Sequence, residues 1–235
     1  MRFLIHEQPG ERPLAGGSFR YEQDGRPTGA WEHWRLSELA GGYSFLRLDL
    51  DERQTPSGRS LLGHAMLSPA GGTVERLKLS LFGPQVEIIA DVQTGREGVT
   101  LHQQVNGRPS LDAFEADQVW LESALGLWLL ALAPTVAGEA LVGLLLVAGR
   151  DYFHLQAGPA TVAPLGEELL TIAGREVACQ LILAVFESRE YRLWLDVDGL
   201  PAAAGLPDGR MAVETRRLRY GALAPLPWQA PRSVK

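Results

Sequence analysis

The sequence predicts a mainly β protein of the α+β kind: a single long antiparallel sheet, curled into a half-barrel and wrapped around one central apolar helix. Three observations predict it. Turn dipeptides recur at even intervals through the first half of the chain, and the segments between them alternate apolar and polar residues. One mid-chain stretch, DQVWLESALGLWLLALAP, breaks that alternation and is rich in Leu and Ala. After it, alternating segments return and run to Tyr220. A helix apolar on nearly every side has to be covered around most of its circumference, and a one-faced sheet covers it by curling.

The first-half turns are Asp24-Gly25, Gly41-Gly42, Ser57-Gly58, Gly71-Gly72, Gly83-Pro84, Gly95 to Gly98 and Asn106-Gly107. Between them, Leu46, Leu48 and Leu50 oppose Arg47 and Asp49. Leu77, Leu79 and Leu81 oppose Arg76, Lys78 and Ser80, while Val86, Ile88 and Ala90 oppose Glu87. Short connections make this a meander, with sequence neighbours adjacent in the sheet. The helix is expected over Gln118 to Ala133, with Asp117 as N-cap, Glu122 in its early turns and Pro134 ending it. Strands follow at about Ala140 to Ala148, Tyr152 to Gln156, Glu168 to Ile172, Glu176 to Phe186, Arg189 to Val197, Leu200 to Gly205 and Met211 to Tyr220. No internal repeat or interdomain linker interrupts the pattern. A single domain over residues 1–235 is expected, with loose ends at about 1–16 and at the Pro-rich 221–235, where Trp228 is a candidate to dock.

The composition removes several function classes. Hydrophobic residues at 46% and charged residues at 21% exclude global disorder. A net charge of −6 gives no electrostatic reason to bind nucleic acid, and the densest basic cluster, Arg216, Arg217 and Arg219 beside Glu214, reads as a solvated strand face. The single Cys179 excludes an internal disulfide framework and, inside the apolar run VACQLILAVF, reads as a buried inert thiol. The longest apolar run, Leu125 to Gly149, is divided by Pro134, Gly138 and Glu139 into pieces too short to span a bilayer. The opening MRFLIHEQPGERP has too short an apolar core for a signal peptide and no lipoprotein cysteine, so a cytoplasmic location is expected.

The acids of YRLWLDVDGLPAAAGL invite a chemical reading, and each fails. If Gly199 were position six of a calcium loop, Trp194 would be the first ligand; if Asp196 were position one, positions six and twelve would be Pro201 and Pro207. A nucleotide-metal site of the D-x-D kind requires a βα-alternating domain and a phosphate loop, which the sequence lacks. As an acid/base pair, Asp196 and Asp198 would stand about 7 Å apart on one strand face, but Asp198 falls in the turn. Asp198-Gly199 is instead a hairpin signal, repeated by Asp208-Gly209 ten residues on. This places Asp196 on a wet face beside Trp194, with Leu193 and Leu195 inward; Asp196→Asn is then expected to be tolerated and Gly199→Val to damage folding. His6, His33, His64, His102 and His154 each stand alone on separate segments, so no local metal site is drawn, and no G-x-S-x-G elbow accompanies any of them.

The aromatics cluster on a few segments: Trp31 and Trp34, Tyr43 and Phe45, Trp120 and Trp128, Tyr152 and Phe153. They read as core or as the lining of a cavity between sheet and helix. With the helix stretch and the run TIAGREVACQLI…YRLWLDVDGLPAAA in place, the layout from about Gly17 to Tyr220 resembles the bacterial half-barrel β-clam proteins. These include the lipoprotein carriers of the Lol system, a related uncharacterised periplasmic domain family and the violacein-pathway enzyme VioE. The resemblance implies a sheet wrapped on a helix around an apolar cavity for acyl chains or, as in VioE, a small aromatic intermediate. No position matches a VioE catalytic residue.

The function expected first is therefore a non-enzymatic binding protein holding a lipid or other apolar small molecule between sheet and helix. Its candidate lining is Trp34, Leu48, Leu79, Ile88, Leu101, Trp128, Leu193 and Leu195, with no cofactor, metal, nucleic acid or membrane span. The alternatives are a cofactor-independent enzyme of the VioE kind and an interaction module whose interior is filled by its own side chains.

Overall fold

The computed structural model describes residues 9–39, 41–69, 73–132, 140–146 and 152–220. The expected Gly71-Gly72 turn, Pro134 and the Pro-rich end at 221–235 with Trp228 lie outside these residues, as does His6. Eight strands form the first arm: β1 (Arg12–Gln23), β2 (Arg26–Glu38), β3 (Ser44–Glu52), β4 (Arg59–Leu67), β5 (Val74–Phe82), β6 (Glu87–Gly95), β7 (Gly98–Val105) and β8 (Arg108–Phe114). Then come β9 (Gln118–Leu121), α1 (Ala124–Leu132), β10 (Ala140–Leu146), β11 (His154–Ile172), β12 (Arg175–Phe186), β13 (Arg189–Leu195), β14 (Pro201–Gly205) and β15 (Arg210–Arg219).

All fifteen described strands belong to one curled, unclosed sheet, in the order β8-β7-β6-β5-β4-β3-β2-β1-β15-β14-β13-β12-β11-β10-β9. Two meanders thus meet where the first strand pairs with the last, β1 with β15. Hairpin chemistry sets the reversals. Asp24-Gly25 and Asn106-Gly107 both hold positive φ at their two central positions, the backbone of the two-residue turn that matches strand twist. Between β7 and β8 this turn leaves Pro109 on the outermost strand, where its missing N–H costs no ladder bond to a further strand.

One pair is not antiparallel: β9 runs parallel to β10. A parallel pair requires a crossover, and α1 begins it. The helix therefore lies against the sheet, packing on β9, β12, β13 and β14. Its residues from Ala124 to Leu130, Gly126 apart, are buried in one apolar cluster with the inward side chains of both arms. The strand faces follow the sequence alternation: Leu46 and Leu48, Leu77, Leu79 and Leu81, Ile88, Ala90 and Val92 are all buried in that cluster.

Several boundaries differ from the sequence expectation. Gln118–Leu121 is a strand, not the first turn of the helix, because it is buried on both faces and so shows no alternation. The helix cap is consequently Ser123 rather than Asp117: its Oγ accepts the Gly126 N–H at 3.1 Å. Glu122 precedes the helix. The two strands expected at Tyr152 to Gln156 and Glu168 to Ile172 are parts of one long β11, which passes Pro164 and Gly166 at a register shift. Residues 12–16, expected in a loose end, open β1.

Beyond the reach of β10 and β13, the ends of β11 and β12 form a two-stranded ribbon that approaches β15. A second apolar cluster of Ile172, Cys179, Trp194, Ala202 and Ala203 lies here, with Leu170, Val177, Met211 and Val213 against it. The Trp194 indole donates to Glu168 Oε2 at 2.6 Å. Cys179 is buried as expected, and burial pushes its thiol pKa up. On its other side the ribbon exposes Leu169, at 66%.

Candidate functional site

A cleft of about 120 Å3 opens where β1, β3, β4 and β5 meet the turn between β9 and α1 and the loop between β14 and β15. Its apolar wall is Leu50, Leu61, Leu81 and Leu206; the last three belong to the main core cluster and Leu50 packs on it. Tyr21, Glu52, Ser57, Arg59, Ser60, Glu122 and Arg210 supply its polar lining. The cleft is therefore a polar mouth on an apolar interior.

Arg210 organises that mouth. It donates to Asp208 at 2.7 Å, lies 3.4 Å from Glu52, and its guanidinium sits 5.6 Å from the Tyr21 ring centroid. Glu122 accepts the Tyr191 hydroxyl at 2.9 Å, which ties the start of the helix to β13. Burial, with the Glu122 charge adding to it, pushes the Tyr191 pKa up.

Behind Tyr21 lies a carboxylate that the sequence reading missed. Glu32 is fully buried, and its Oε2 accepts the Tyr21 hydroxyl at 2.6 Å and the Ala124 N–H at 3.2 Å, while Oε1 faces the Leu125 N–H at 3.4 Å. A strand side chain thus caps the first amides of a helix distant in sequence, where the helix dipole favours negative charge. Burial raises the Glu32 pKa, and the donors around it oppose the rise; burial and the Glu32 charge raise Tyr21. A local signal was present. Ala30, Glu32, Trp34 and Leu36 share one strand face, so a carboxylate stands in an apolar row.

The eight candidate lining residues all fall in the main core cluster, on β2, β3, β5, β6, β7, α1 and β13. The Trp34 and Trp128 rings meet with centroids 5.9 Å apart, and Trp34 fits because Gly17 faces it: a Cβ there would stand 2.7 Å from Trp34 Nε1. None of the eight lines the cleft. Trp128 Nε1 donates to the Gly199 carbonyl at 3.0 Å, whereas Trp34 Nε1 and Trp120 Nε1 are buried without an acceptor among the described residues.

The DVDG segment is a turn, as expected, but of three residues. Asp196 N–H donates to the Leu200 carbonyl and Gly199 N–H to the Asp196 carbonyl, with Gly199 at φ 73°. Asp196 itself overturns the wet-face expectation. It is buried; Oδ1 accepts the N–H groups of Asp198 and Leu200, both at 2.9 Å, and Oδ2 binds Arg217 and Arg219. Arg217 also pairs with Glu214 and donates to the Pro201 carbonyl, so it is a half-buried clamp and not part of a solvated face. Burial, together with neighbouring Arg219, lowers its pKa to about 10.

His33, His64, His102 and His154 lie on four different strands. Among the described residues, no three His, Cys, Asp or Glu side chains converge as a metal site. No described helix is long and apolar enough to cross a membrane.

No family model and no curated protein matches the chain. Among solved structures it is similar to a β-barrel-like protein of the domain of unknown function DUF1849 from Brucella abortus, at 9% identity over 89% of this chain and 98% of that one, with a TM-score of 0.49. It also aligns with PNGF-II, at 8% identity over 94% of this chain and 30% of that one, with a TM-score of 0.33.

Proposed function

We propose that the protein is a non-enzymatic binding protein that takes an apolar or amphipathic small molecule between its curled sheet and its helix. The observation that carries this reading is continuity: the cleft wall of Leu61, Leu81 and Leu206 belongs to the same cluster as all eight interior candidates. A ligand's apolar part would enter among those side chains while its polar part stays with Tyr21, Glu122 and Arg210. This is the arrangement that the β-clam resemblance implies for acyl-chain carriers.

Magnitudes set the mode of binding. A cleft of about 120 Å3 is smaller than the roughly 300–1,000 Å3 of ordinary ligand pockets, so binding requires the helix and sheet to separate. The Glu32–Tyr21 pair does not favour catalysis, because both Glu32 oxygens are engaged by Tyr21 and the helix amides. Titration of the purified protein with an environment-sensitive fatty-acid probe tests the reading. Saturable binding, competed by unlabelled fatty acid, is expected; a linear, non-saturating response would overturn it.

A second reading, an interaction module, is favoured by Leu165 and Leu169 of β11, which stand 57% and 66% exposed. Non-saturating probe binding would shift the balance to it.

A further inference from the structure

The helix has unequal ties to the two arms of the sheet. It packs on β12, β13 and β14 of the second arm, and Tyr191 and the Gly199 carbonyl bind Glu122 and Trp128 on that same side. Toward the first arm, the described hydrogen bonds at its start are those of Glu32 on β2 and Tyr21 on β1, whose hydroxyl also lies 3.2 Å from the Ala124 N–H. No Lys or Arg side chain touches Glu32 among the described residues, so its charge is balanced by hydrogen bonds and the helix N-terminus alone.

We infer that Glu32 and Tyr21 form a catch that holds the start of α1 to the first arm, and that releasing it is the local opening by which the space between sheet and helix is reached. A buried carboxylate without a cation carries a desolvation cost that closed packing maintains. Opening returns hydration to Glu32 and so offsets part of the lost bonding, which makes this end of the helix the place where separation is cheapest. The cleft ends at the catch: buried Tyr21 forms part of its lining, beside Glu122. Arg210, held by Asp208 and lying over the Tyr21 ring, flanks the catch from β15. The inference rests on the binding reading for its purpose but not for its test.

The test is amide hydrogen exchange on the ligand-free protein, comparing Ala124 and Leu125 with Leu46 and Leu48 in β3. Tyr21→Phe removes the hydroxyl and keeps the ring. It is expected to speed exchange at Ala124 and Leu125 by about tenfold while β3 is unchanged, the effect of one lost hydrogen bond on a local opening. Glu32→Gln, which keeps the shape, is expected to have a larger effect; if it does not fold, Tyr21→Phe decides. Helix amides that do not respond, or that speed only in proportion to β3, would overturn the catch. If the helix amides respond but the probe titration shows no saturable binding, the catch stands and the ligand reading falls.

Discussion

Asp196 joins two hairpins through one carboxylate. One oxygen closes its own turn through the Asp198 and Leu200 amides, and the other holds Arg217 and Arg219 of β15. Arg217 in turn reaches the Pro201 carbonyl on β14, so three consecutive strands are clamped at their ends. Asp196→Asn keeps an acceptor for the two amides but removes one of the two carboxylates that half-buried Arg217 binds, leaving it Glu214. We expect it to lower stability by about 2 kcal/mol or more, read as a lower midpoint in chemical denaturation. An unchanged midpoint would show that the ion network contributes nothing net. The turn was readable in Asp198-Gly199, whereas the burial of Asp196 was not. What local alternation cannot report is that this outer face is itself covered, by a ribbon whose contacts with Trp194 come from Glu168, Ile172 and Cys179. Val197 shows the complementary error: the expected strand runs through it, yet it sits in the turn and is 85% exposed.

At the scale of elements, the junction between β9 and α1 is tightly packed. The chain turns from strand to helix through Glu122 and Ser123, and Gly126 then lies against the preceding strand. A Cβ at Gly126 would stand 1.8 Å from the Leu121 carbonyl oxygen, a contact with backbone that no rotamer change relieves. Gly126→Ala favours the helix by intrinsic propensity yet is expected to destabilise the protein strongly, seen as loss of cooperative thermal unfolding or of soluble protein. A wild-type melting curve from this variant would contradict the observed junction. The Leu and Ala content predicts the helix, but starts it at Gln118 where the structure starts it at Ala124. A strand buried on both faces has no polar alternation to separate it from a buried helix. The short Gln118–Leu121 segment therefore merges, in the pattern, with the helix after it. The long β11 was divided for the opposite reason: exposed Pro164 and Gly166 look like loop residues, while the strand continues past them through a register shift.

For the whole molecule, the half-barrel follows from patterns spread over the chain. The one-faced strands supply the apolar surface, and the all-apolar helix supplies the body on which that surface closes. All eight candidate lining residues, including both tryptophans, lie in one cluster, because inward parity on each strand is visible locally. The mouth was not visible, since Tyr21, Glu52, Glu122 and Arg210 are brought together only by the pairing of β1 with β15 and the return of β9 to the sheet. Glu32 was the exception, a carboxylate on an apolar strand face, and it marks the point where the start of the helix bonds to the first arm.

Native mass spectrometry of the protein purified without detergent, before and after extraction with organic solvent, tests the binding proposal most directly. The proposal expects a discrete adduct of lipid-like mass that extraction removes and that added fatty acid restores at one molecule per chain. A single bare-chain mass before extraction, unchanged after fatty acid is added, would contradict it.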